Sequence, residues 1–160
     1  APEGELLELN FPATPPTEAP VDLALIEGLG IKNYSHYARS IFDVMIVLPR
    51  EEDVITLTPD YTALASIDTR GIIVTAEASQ PDLDFVSRFF APAHGINEDP
   101  VTGSAHCCLG PYWADQLGKQ ALRARQCSSR GGELLVTVKD DRVALRGAAT
   151  LIAEGTLYIP

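Results

Sequence analysis

The segment that organises this sequence reads Phe89-Phe-Ala-Pro-Ala-His94-Gly-Ile-Asn-Glu98-Asp99-Pro100-Val-Thr102-Gly103-Ser104-Ala105-His106. Its first residues end an apolar stretch, its middle is a polar loop that contains glycine and proline, and its last residues begin a segment with helical periodicity. The repeat of apolar residues predicts a helix over residues 104–117, and Gly118 is placed to end it. Pro111 inside this helix is expected to remove a backbone hydrogen bond and to kink the helix.

Strand-like segments flank the predicted helix on both sides. The strands predicted before it are residues 40–48, 71–76 and 85–90, and those after it are residues 122–127, 133–138, 142–145 and 148–159. Short helices are predicted at residues 21–28, 51–57 and 60–66. Strands clustered after a helix favour an α+β fold rather than a Rossmann-type sheet. We therefore expect a curved, mostly antiparallel sheet wrapped around one central helix.

The first 20 residues differ in character from the rest of the chain. Residues 5–11 alternate as a short strand, and four prolines then fall within residues 12–20. Such a stretch cannot form a helix or a central strand, so it favours an extended linker. The expected organisation is a terminal strand of a missing N-terminal domain at residues 1–12, a linker at residues 13–20 and the main domain at residues 21–160.

Composition argues against several classes of function. The chain carries 22 acidic and 12 basic side chains, for a formal net charge of −10. An acidic chain is a poor partner for nucleic acid or for an anionic membrane surface, and no apolar run approaches the roughly 20 residues that span a bilayer. Cys107, Cys108 and Cys127 fit no disulfide framework, which favours a reducing, cytoplasmic location.

The polar loop and the helix start combine groups that suit an anionic ligand. The first N–H groups of a helix have no partner within it, and the helix dipole makes that end positive. Gly103 lets the backbone approach a ligand, and Ser104 can cap the helix or donate a hydrogen bond. These features predict a pocket for a carboxylate or phosphate. Asp99 in the same loop would tend to hold its proton beside a bound anion, as a general acid should.

Each of these residues also fits a purely structural role. Taken alone, Asp99 before Pro100 is more often a turn or capping aspartate, and Gly103-Ser104 is more often an ordinary helix start. His94, His106 and Cys107 match no metal-ligand spacing with a fourth partner, so no metal site is predicted.

Several motifs together resemble the PhzF-like family of phenazine-biosynthesis proteins. They are Phe85-Val-Ser-Arg-Phe-Phe-Ala-Pro, Glu98-Asp-Pro-Val-Thr-Gly-Ser-Ala-His106, Pro111-Tyr-Trp, Leu117-Gly-Lys119, Gln126 and Ser129-Arg-Gly-Gly132. Their order and spacing agree with the family throughout, and the resemblance covers essentially the whole chain. On these motifs the chain is similar to the C-terminal half of a PhzF-like protein.

The resemblance implies the fold of diaminopimelate epimerase, in which two similar domains enclose the active site between them. It also implies a homodimeric isomerase that moves a proton on a small, carboxylate-bearing, amino-acid-like substrate without metal or organic cofactor. In this resemblance Asp99 corresponds to a catalytic aspartate. Gly103, Ser104 and Ala105 correspond to the helix-start groups that bind the substrate.

Two departures from the family pattern limit what this chain is expected to do. The family's principal acid–base glutamate and a Gly-His motif belong to the first domain, and this sequence has neither. No cysteine lies in the loop before Gly103, so thiol-based racemisation is not expected. We therefore expect this chain to be inactive alone, with the missing base supplied by an N-terminal domain or a companion chain. The alternative is a non-catalytic domain that binds a ligand or associates with itself.

Overall fold

The computed structural model describes residues 6–150 and 152–158, and its strands and helices lie within residues 6–148. The strands are β1 (Leu6–Pro12), β2 (Thr17–Glu18), β3 (His36–Arg39), β4 (Asp43–Val47), β5 (Gly71–Glu77), β6 (Phe85–Phe90), β7 (Ala121–Gln126), β8 (Gly132–Lys139) and β9 (Arg142–Ala148). The helices are α1 (Leu23–Leu29), α2 (Glu51–Ile55), α3 (Tyr61–Leu64) and α4 (Gly103–Leu117), with a 3₁₀ turn at Pro92–His94.

The nine strands of the described residues form one mixed sheet in the order β1-β9-β8-β7-β6-β5-β4-β3-β2. The pairs β4–β5 and β6–β7 are parallel, and the other neighbouring pairs are antiparallel. The parallel pairs arise where the chain passes through helices before it returns to the sheet. The prediction of an α+β fold is confirmed as a large mixed sheet with few helices.

Strands β4, β5 and β6 are buried along nearly their whole length because helices cover both of their faces. On one face Met45, Ile73 and Phe85 belong to the same apolar cluster as Leu109 and Trp113 of α4. The alternate residues of these strands form a second cluster with α1, α2 and α3. This arrangement explains the continuous apolar runs in the sequence, since a strand covered on both faces has no polar side.

Helix α4 begins one residue before its predicted start and ends at Gly118, which adopts the left-handed conformation with φ 65°. It continues through Pro111, which cannot donate a hydrogen bond to the carbonyl of Cys107 four residues earlier. That carbonyl accepts instead from the backbone N–H of Thr14 at 3.0 Å. The proline thus frees an acceptor on α4, and the segment after β1 uses it. None of the described helices has the length and apolar character needed to cross a membrane.

Residues 6–18 contribute to both edges of the sheet. Strand β1 pairs with β9 at one edge, and β2 pairs with β3 at the other. The two are connected by residues 13–16, within the proline-rich stretch predicted to be a linker. Residues 1–5 lie outside the description, and the division of the chain into domains stays a prediction.

The three short helices predicted at residues 21–28, 51–57 and 60–66 are present with shifted or shorter bounds, and two of them begin at capping aspartates. Asp22 accepts from the first N–H groups of α1, and Asp60 does the same for α3. Strand β3 was missed, since its four residues show no continuous apolar run.

The strand predicted at residues 148–159 is wrong for residues 149–150 and 152–158, which have no strand structure. Strand β9 itself continues to Ala148, beyond its predicted end at residue 145. Strand β1 pairs with the edge of β9 that β8 does not use. The residues after Ala148 therefore have no free edge of β9 with which to pair. Alternating apolar residues do not form a strand without a partner strand. Residues 151 and 159 lie outside the description.

A glycine sets the packing at the start of β5. A Cβ at Gly71 would lie 2.2 Å from Cζ of Phe89 and 2.8 Å from Oδ1 of Asp43. Gly71→Ala is therefore expected to displace Phe89 and to lower the free energy of unfolding by about 1–3 kcal/mol. Gly147→Ala in β9 is the matched control, because its Cβ would approach no atom closer than 3.8 Å. Urea denaturation measures both variants, and equal stabilities would contradict this packing.

Candidate functional site

Asp99 is held in place by hydrogen bonds that join its loop to the sheet. Its Oδ2 accepts from Oγ1 of Thr102 at 2.5 Å, and its backbone N–H donates to the carbonyl of Phe89 at 3.0 Å. The side chain of Gln126 on β7 donates to the Asp99 carbonyl at 2.7 Å and to Oγ1 of Thr102 at 3.1 Å. Its Oε1 accepts from the Thr102 N–H at 2.9 Å. Gln126 therefore fixes both ends of the segment 99–102.

The residue before Asp99 anchors the same loop to β6. Glu98 accepts two hydrogen bonds from Arg88, at 2.7 and 3.0 Å, and their side chains are only 16% and 10% exposed. Arg88 also donates to the carbonyl of Leu57 at 2.7 Å. A bidentate pair removed from water holds its geometry, because moving one partner would leave the other charge buried and unpaired. Asp99 therefore follows directly after a rigid attachment point.

The start of α4 has backbone N–H groups that make no hydrogen bond within the described residues. Thr102 is the N-terminal cap, yet its hydroxyl bonds Asp99 rather than the helix, and Ser104 lies inside the first turn. The first helical hydrogen bond runs from the His106 N–H to the Thr102 carbonyl at 3.4 Å. Among the described residues, no group accepts from the N–H groups of Gly103, Ser104 or Ala105. Gly103 and Ser104 are partly exposed, whereas Ala105 is only 1% exposed, so an anion at this helix end would meet the first two residues first.

Arg70 adds a positive charge to the helix start, and the sequence analysis did not identify it. Its Nη2 donates to Oγ of Ser104 at 3.1 Å. The same guanidinium binds both carboxylate oxygens of Asp43, at 3.0 and 2.5 Å. Burial raises the pKa of Asp43, and the hydrogen bonds and charge of Arg70 oppose that rise. The ring of Phe42 lies 5.0 Å from the guanidinium carbon. Arg70 is thus fixed beside Ser104 while 41% of its side chain stays exposed.

The sequence contains a signal for this ion pair, although a weak one. Asp43 begins the apolar strand β4, and Arg70 directly precedes the apolar strand β5. The parallel pairing of the two strands places Asp43 opposite Gly71. A charged residue at the start of each of two buried strands therefore indicates a pair only when the strands are known to be parallel neighbours.

An apolar cavity of about 340 Å³ opens beside Ser104. It is bounded by residues 11–14 at the end of β1 and just beyond it, by Ile41 and Phe42, and by Ser104 and Cys107 of α4. The cavity and the exposed side of Arg70 share Ser104 and Phe42 as neighbours. Asp99 is not part of the cavity wall. The site therefore has a polar part at the helix start and an apolar part beside it.

The histidine and the cysteines of α4 are buried and uncharged at neutral pH. His106 donates from Nδ1 to the Thr102 carbonyl at 2.8 Å, and burial lowers its pKa while this bond opposes the change. Burial raises the pKa of Cys107, and it raises the pKa of Cys108 to about 12. None of the three groups is poised to act as a base or a nucleophile.

His94, the other histidine considered for metal binding, is exposed at the end of the 3₁₀ turn. In the part of the chain that the structure describes, no three His, Cys, Asp or Glu side chains are grouped as metal ligands would be.

Comparisons with known proteins identify related sequences along nearly the whole chain. The model of the PhzC-PhzF family, described as phenazine biosynthesis-like protein, matches residues 3–155. An uncharacterized isomerase of Halalkalibacterium halodurans is 46% identical over 98% of this chain. An uncharacterized isomerase of Pseudomonas aeruginosa is 48% identical over the same share. The chain spans 59% of the length of each of these two relatives.

Solved structures share the fold at similar levels of identity. A phenazine biosynthesis protein of the PhzF family from Enterococcus faecalis matches 98% of this chain and 59% of its own, with 41% identity and a TM-score of 0.85. A putative phenazine biosynthesis PhzC/PhzF protein from Clostridium difficile matches with 40% identity and a TM-score of 0.84, over 98% of this chain and 60% of its own.

The buried His106 is expected to make the stability of the fold depend on pH. Burial lowers its pKa in the folded chain below the ordinary value of 6.5, so the unfolded chain binds a proton first as the pH falls. The contribution of His106 to stability is complete above about pH 6.5 and decreases below it, by up to about 1.4 kcal/mol per pH unit.

Urea denaturation between pH 7.5 and pH 5.5 measures this dependence, because ordinary carboxylates titrate at lower pH (about 4). His106→Gln is expected to reduce the slope, whereas the exposed His94→Gln is the control that should retain it. Identical slopes in wild type and His106→Gln would show that His106 is not the responsible group.

Proposed function

The chain belongs to the PhzC-PhzF family of phenazine biosynthesis-like proteins, and on that premise we propose that it supplies one half of the active site of an isomerase. The reaction moves a proton within a small, carboxylate-bearing, amino-acid-like substrate, and no proposed step requires a metal or organic cofactor. Two relatives that carry the name uncharacterized isomerase support the reaction class.

The observation that carries this proposal is the arrangement of donors at the start of α4. The N–H groups of residues 103–105 have no acceptor among the described residues, and Arg70 lies within hydrogen-bonding distance of Ser104. Free amides, the positive end of a helix dipole and a guanidinium all favour a carboxylate. We assign substrate binding to Gly103, Ser104 and Ala105, with Arg70 as an additional source of positive charge.

We assign proton transfer to Asp99, whose carboxylate is oriented by Thr102. The Thr102 hydroxyl donates a hydrogen bond to Oδ2 of Asp99, and no described group donates a hydrogen bond to Oδ1. Oδ1 is therefore the oxygen we propose to exchange a proton with the substrate. The hydrogen bonds from Gln126 hold the Asp99 carbonyl and Thr102 together, so the carboxylate keeps one position through the reaction.

A second acid–base group is needed to move a proton from one carbon to another, and we propose that it comes from outside this chain. The relatives are longer than this chain, which leaves room for such a group in the rest of a similar protein. We therefore propose that the chain corresponds to the C-terminal half of a protein with the diaminopimelate-epimerase fold, with α4 as its central helix. The base would come from an N-terminal domain or a companion chain.

Asp99→Asn is expected to slow proton transfer by about 10²–10⁴-fold, the usual contribution of a general acid or base. The measurement is deuterium incorporation from D₂O into candidate unsaturated amino acids, with the protein purified at its native length from its source. Asp115→Asn is the matched control, since Asp115 is an exposed aspartate of α4. Asp99→Asn with the wild-type exchange rate would remove Asp99 from the mechanism.

One observation favours a second candidate function, a non-catalytic domain that associates with itself. The alternate residues Leu7, Leu9 and Phe11 of β1 are 49%, 59% and 37% exposed on one side of an edge strand. On the other side, Glu8 and Asn10 bond arginines of β9. An exposed apolar edge of this kind is suited to pairing with another chain.

Leu9→Lys is expected to shift the protein toward monomer, because a charge on an edge strand opposes strand pairing. Sedimentation equilibrium of this chain measures the shift. Leu23→Lys is the control, since Leu23 is 71% exposed on α1 and remote from the edge in sequence. A wild-type chain that is monomeric at all concentrations would contradict self-association. Association without any deuterium exchange in the source protein would favour the non-catalytic function.

A further inference from the structure

We propose that Ser128 and Gly132 are positioning residues for Asp99, because they hold the middle of the Asp99 loop, residues 99–102, against the sheet. Ser128 lies in the turn between β7 and β8, and Gly132 is the first residue of β8. The proposed function gives neither residue a role. The inference rests on that function, since it requires the Asp99 carboxylate to keep one position while it transfers a proton.

The middle of the Asp99 loop needs attachments of its own. Gln126 bonds the two ends of the loop but neither Pro100 nor Val101. Pro100 has no N–H to donate, and both of these residues are half-buried rather than enclosed in the core. Backbone with few contacts opens easily. A loop fixed only at its ends could therefore bend in the middle and turn the Asp99 side chain.

The hydroxyl of Ser128 supplies the first of these attachments. It donates to the carbonyl of Pro100 at 2.7 Å and accepts from the N–H of Gly131 at 3.0 Å. Gly131 has a φ of 69°, in the left-handed region that favours glycine, so the shape of the turn depends on this residue. A hydroxyl has a single proton, and the turn directs the proton of Ser128 to Pro100.

Gly132 supplies the second attachment because it has no side chain. It pairs with Gln126 across β7 and β8, and directly opposed residues of an antiparallel pair face the same side of the sheet. A Cβ at position 132 would lie only 2.4 Å from Cγ2 of Val101. The Val101 side chain therefore occupies the space that a larger residue at position 132 would fill. Glycine here lets the loop pack directly on the start of β8.

Loss of either attachment is expected to impair proton transfer more than substrate binding. The proposed binding groups are residues 103–105 and Arg70, and neither Ser128 nor Gly132 contacts them through a hydrogen bond. The Asp99 carboxylate, in contrast, belongs to the loop that both attachments hold. A small displacement of a reacting group lowers the rate of the chemical step, whereas binding that is retained leaves KM unchanged.

The first test compares Gly132→Ala with the double variant Gly132→Ala/Val101→Ala, in protein of native length. Alanine at position 132 should displace Val101, and the second substitution removes both Val101 Cγ atoms and restores the space. The assay is deuterium incorporation into unsaturated amino acids, beginning with 2-aminobut-3-enoate. Gly132→Ala is expected to lower kcat about tenfold or more and to change KM by less than about twofold. The double variant should have a kcat at least about threefold above that of Gly132→Ala.

Amide hydrogen exchange follows the loop without any substrate, by mass spectrometry of the peptide that contains residues 97–103. The N–H groups of Asp99 and Thr102 are hydrogen-bonded in the wild type. Ser128→Ala and Gly132→Ala should each speed their exchange about fivefold or more, because the loop opens more often. Ser128→Ala should also lower kcat with KM retained, and it adds no atom that could crowd the loop.

Gly28→Ala is the matched control for crowding at a glycine. A Cβ there would lie 2.8 Å from Cδ2 of Leu64, where α1 packs on α3 on the face of the sheet opposite α4. This variant is expected to lower stability to urea while kcat and the exchange of residues 97–103 stay as in the wild type. A kcat as low as that of Gly132→Ala would assign the effect to overall stability and overturn the positioning role.

The remaining outcomes separate the turn from the function on which it rests. A wild type that incorporates no deuterium into any probe, or Asp99→Asn at the wild-type rate, would overturn the proposed function and the positioning role with it. Where Asp99→Asn is slow, an unchanged kcat in Gly132→Ala would overturn the positioning role alone. So would unchanged loop exchange, or a double variant no faster than Gly132→Ala.

Discussion

The amide of Gln126 imposes the constraint on which the arrangement of the site depends. The residue is completely buried, so its oxygen and its nitrogen must find partners within the protein. It finds them in the backbone of Asp99 and in both the backbone and the hydroxyl of Thr102. Because Thr102 is also the cap of α4, the same amide links strand β7 to the first turn of the helix. The hydroxyl of Thr102 is thereby committed to Asp99, and the N–H groups of residues 103–105 have no acceptor among the described residues.

A second constraint comes from the proline within α4. Pro111 leaves the Cys107 carbonyl without its helical donor, and a buried carbonyl without a partner would be unfavourable. The backbone N–H of Thr14 donates to this carbonyl and so holds the segment after β1 against α4. That segment closes one side of the cavity beside Ser104. Pro111, which is unfavourable inside a helix, thus helps to form the cavity beside Ser104 at the N-terminus of α4.

The parts of the fold that follow from local patterns could be predicted from sequence, and those that depend on pairing could not. The helix ending at Gly118 has its own periodicity and cap, Gly30 marks the end of α1, and Asp60 marks the start of α3. The tail after Ala148 has strand-like alternation without a strand, because β1 already pairs with β9. Asp99 and the Gly103–Ala105 helix start could be proposed from the loop alone.

Arg70 could not be identified in this way, because its place in the site depends on a pairing between strands far apart in sequence. Its partner Asp43 has a side chain only 1% exposed, and burying a carboxylate requires a compensating positive charge. The guanidinium that meets this requirement reaches past Asp43 to Ser104. Stabilising the core therefore also places a positive charge at the mouth of the cavity. The formal net charge of −10 does not argue against the proposed anion site, since binding depends on the groups within a few ångströms rather than on the total charge.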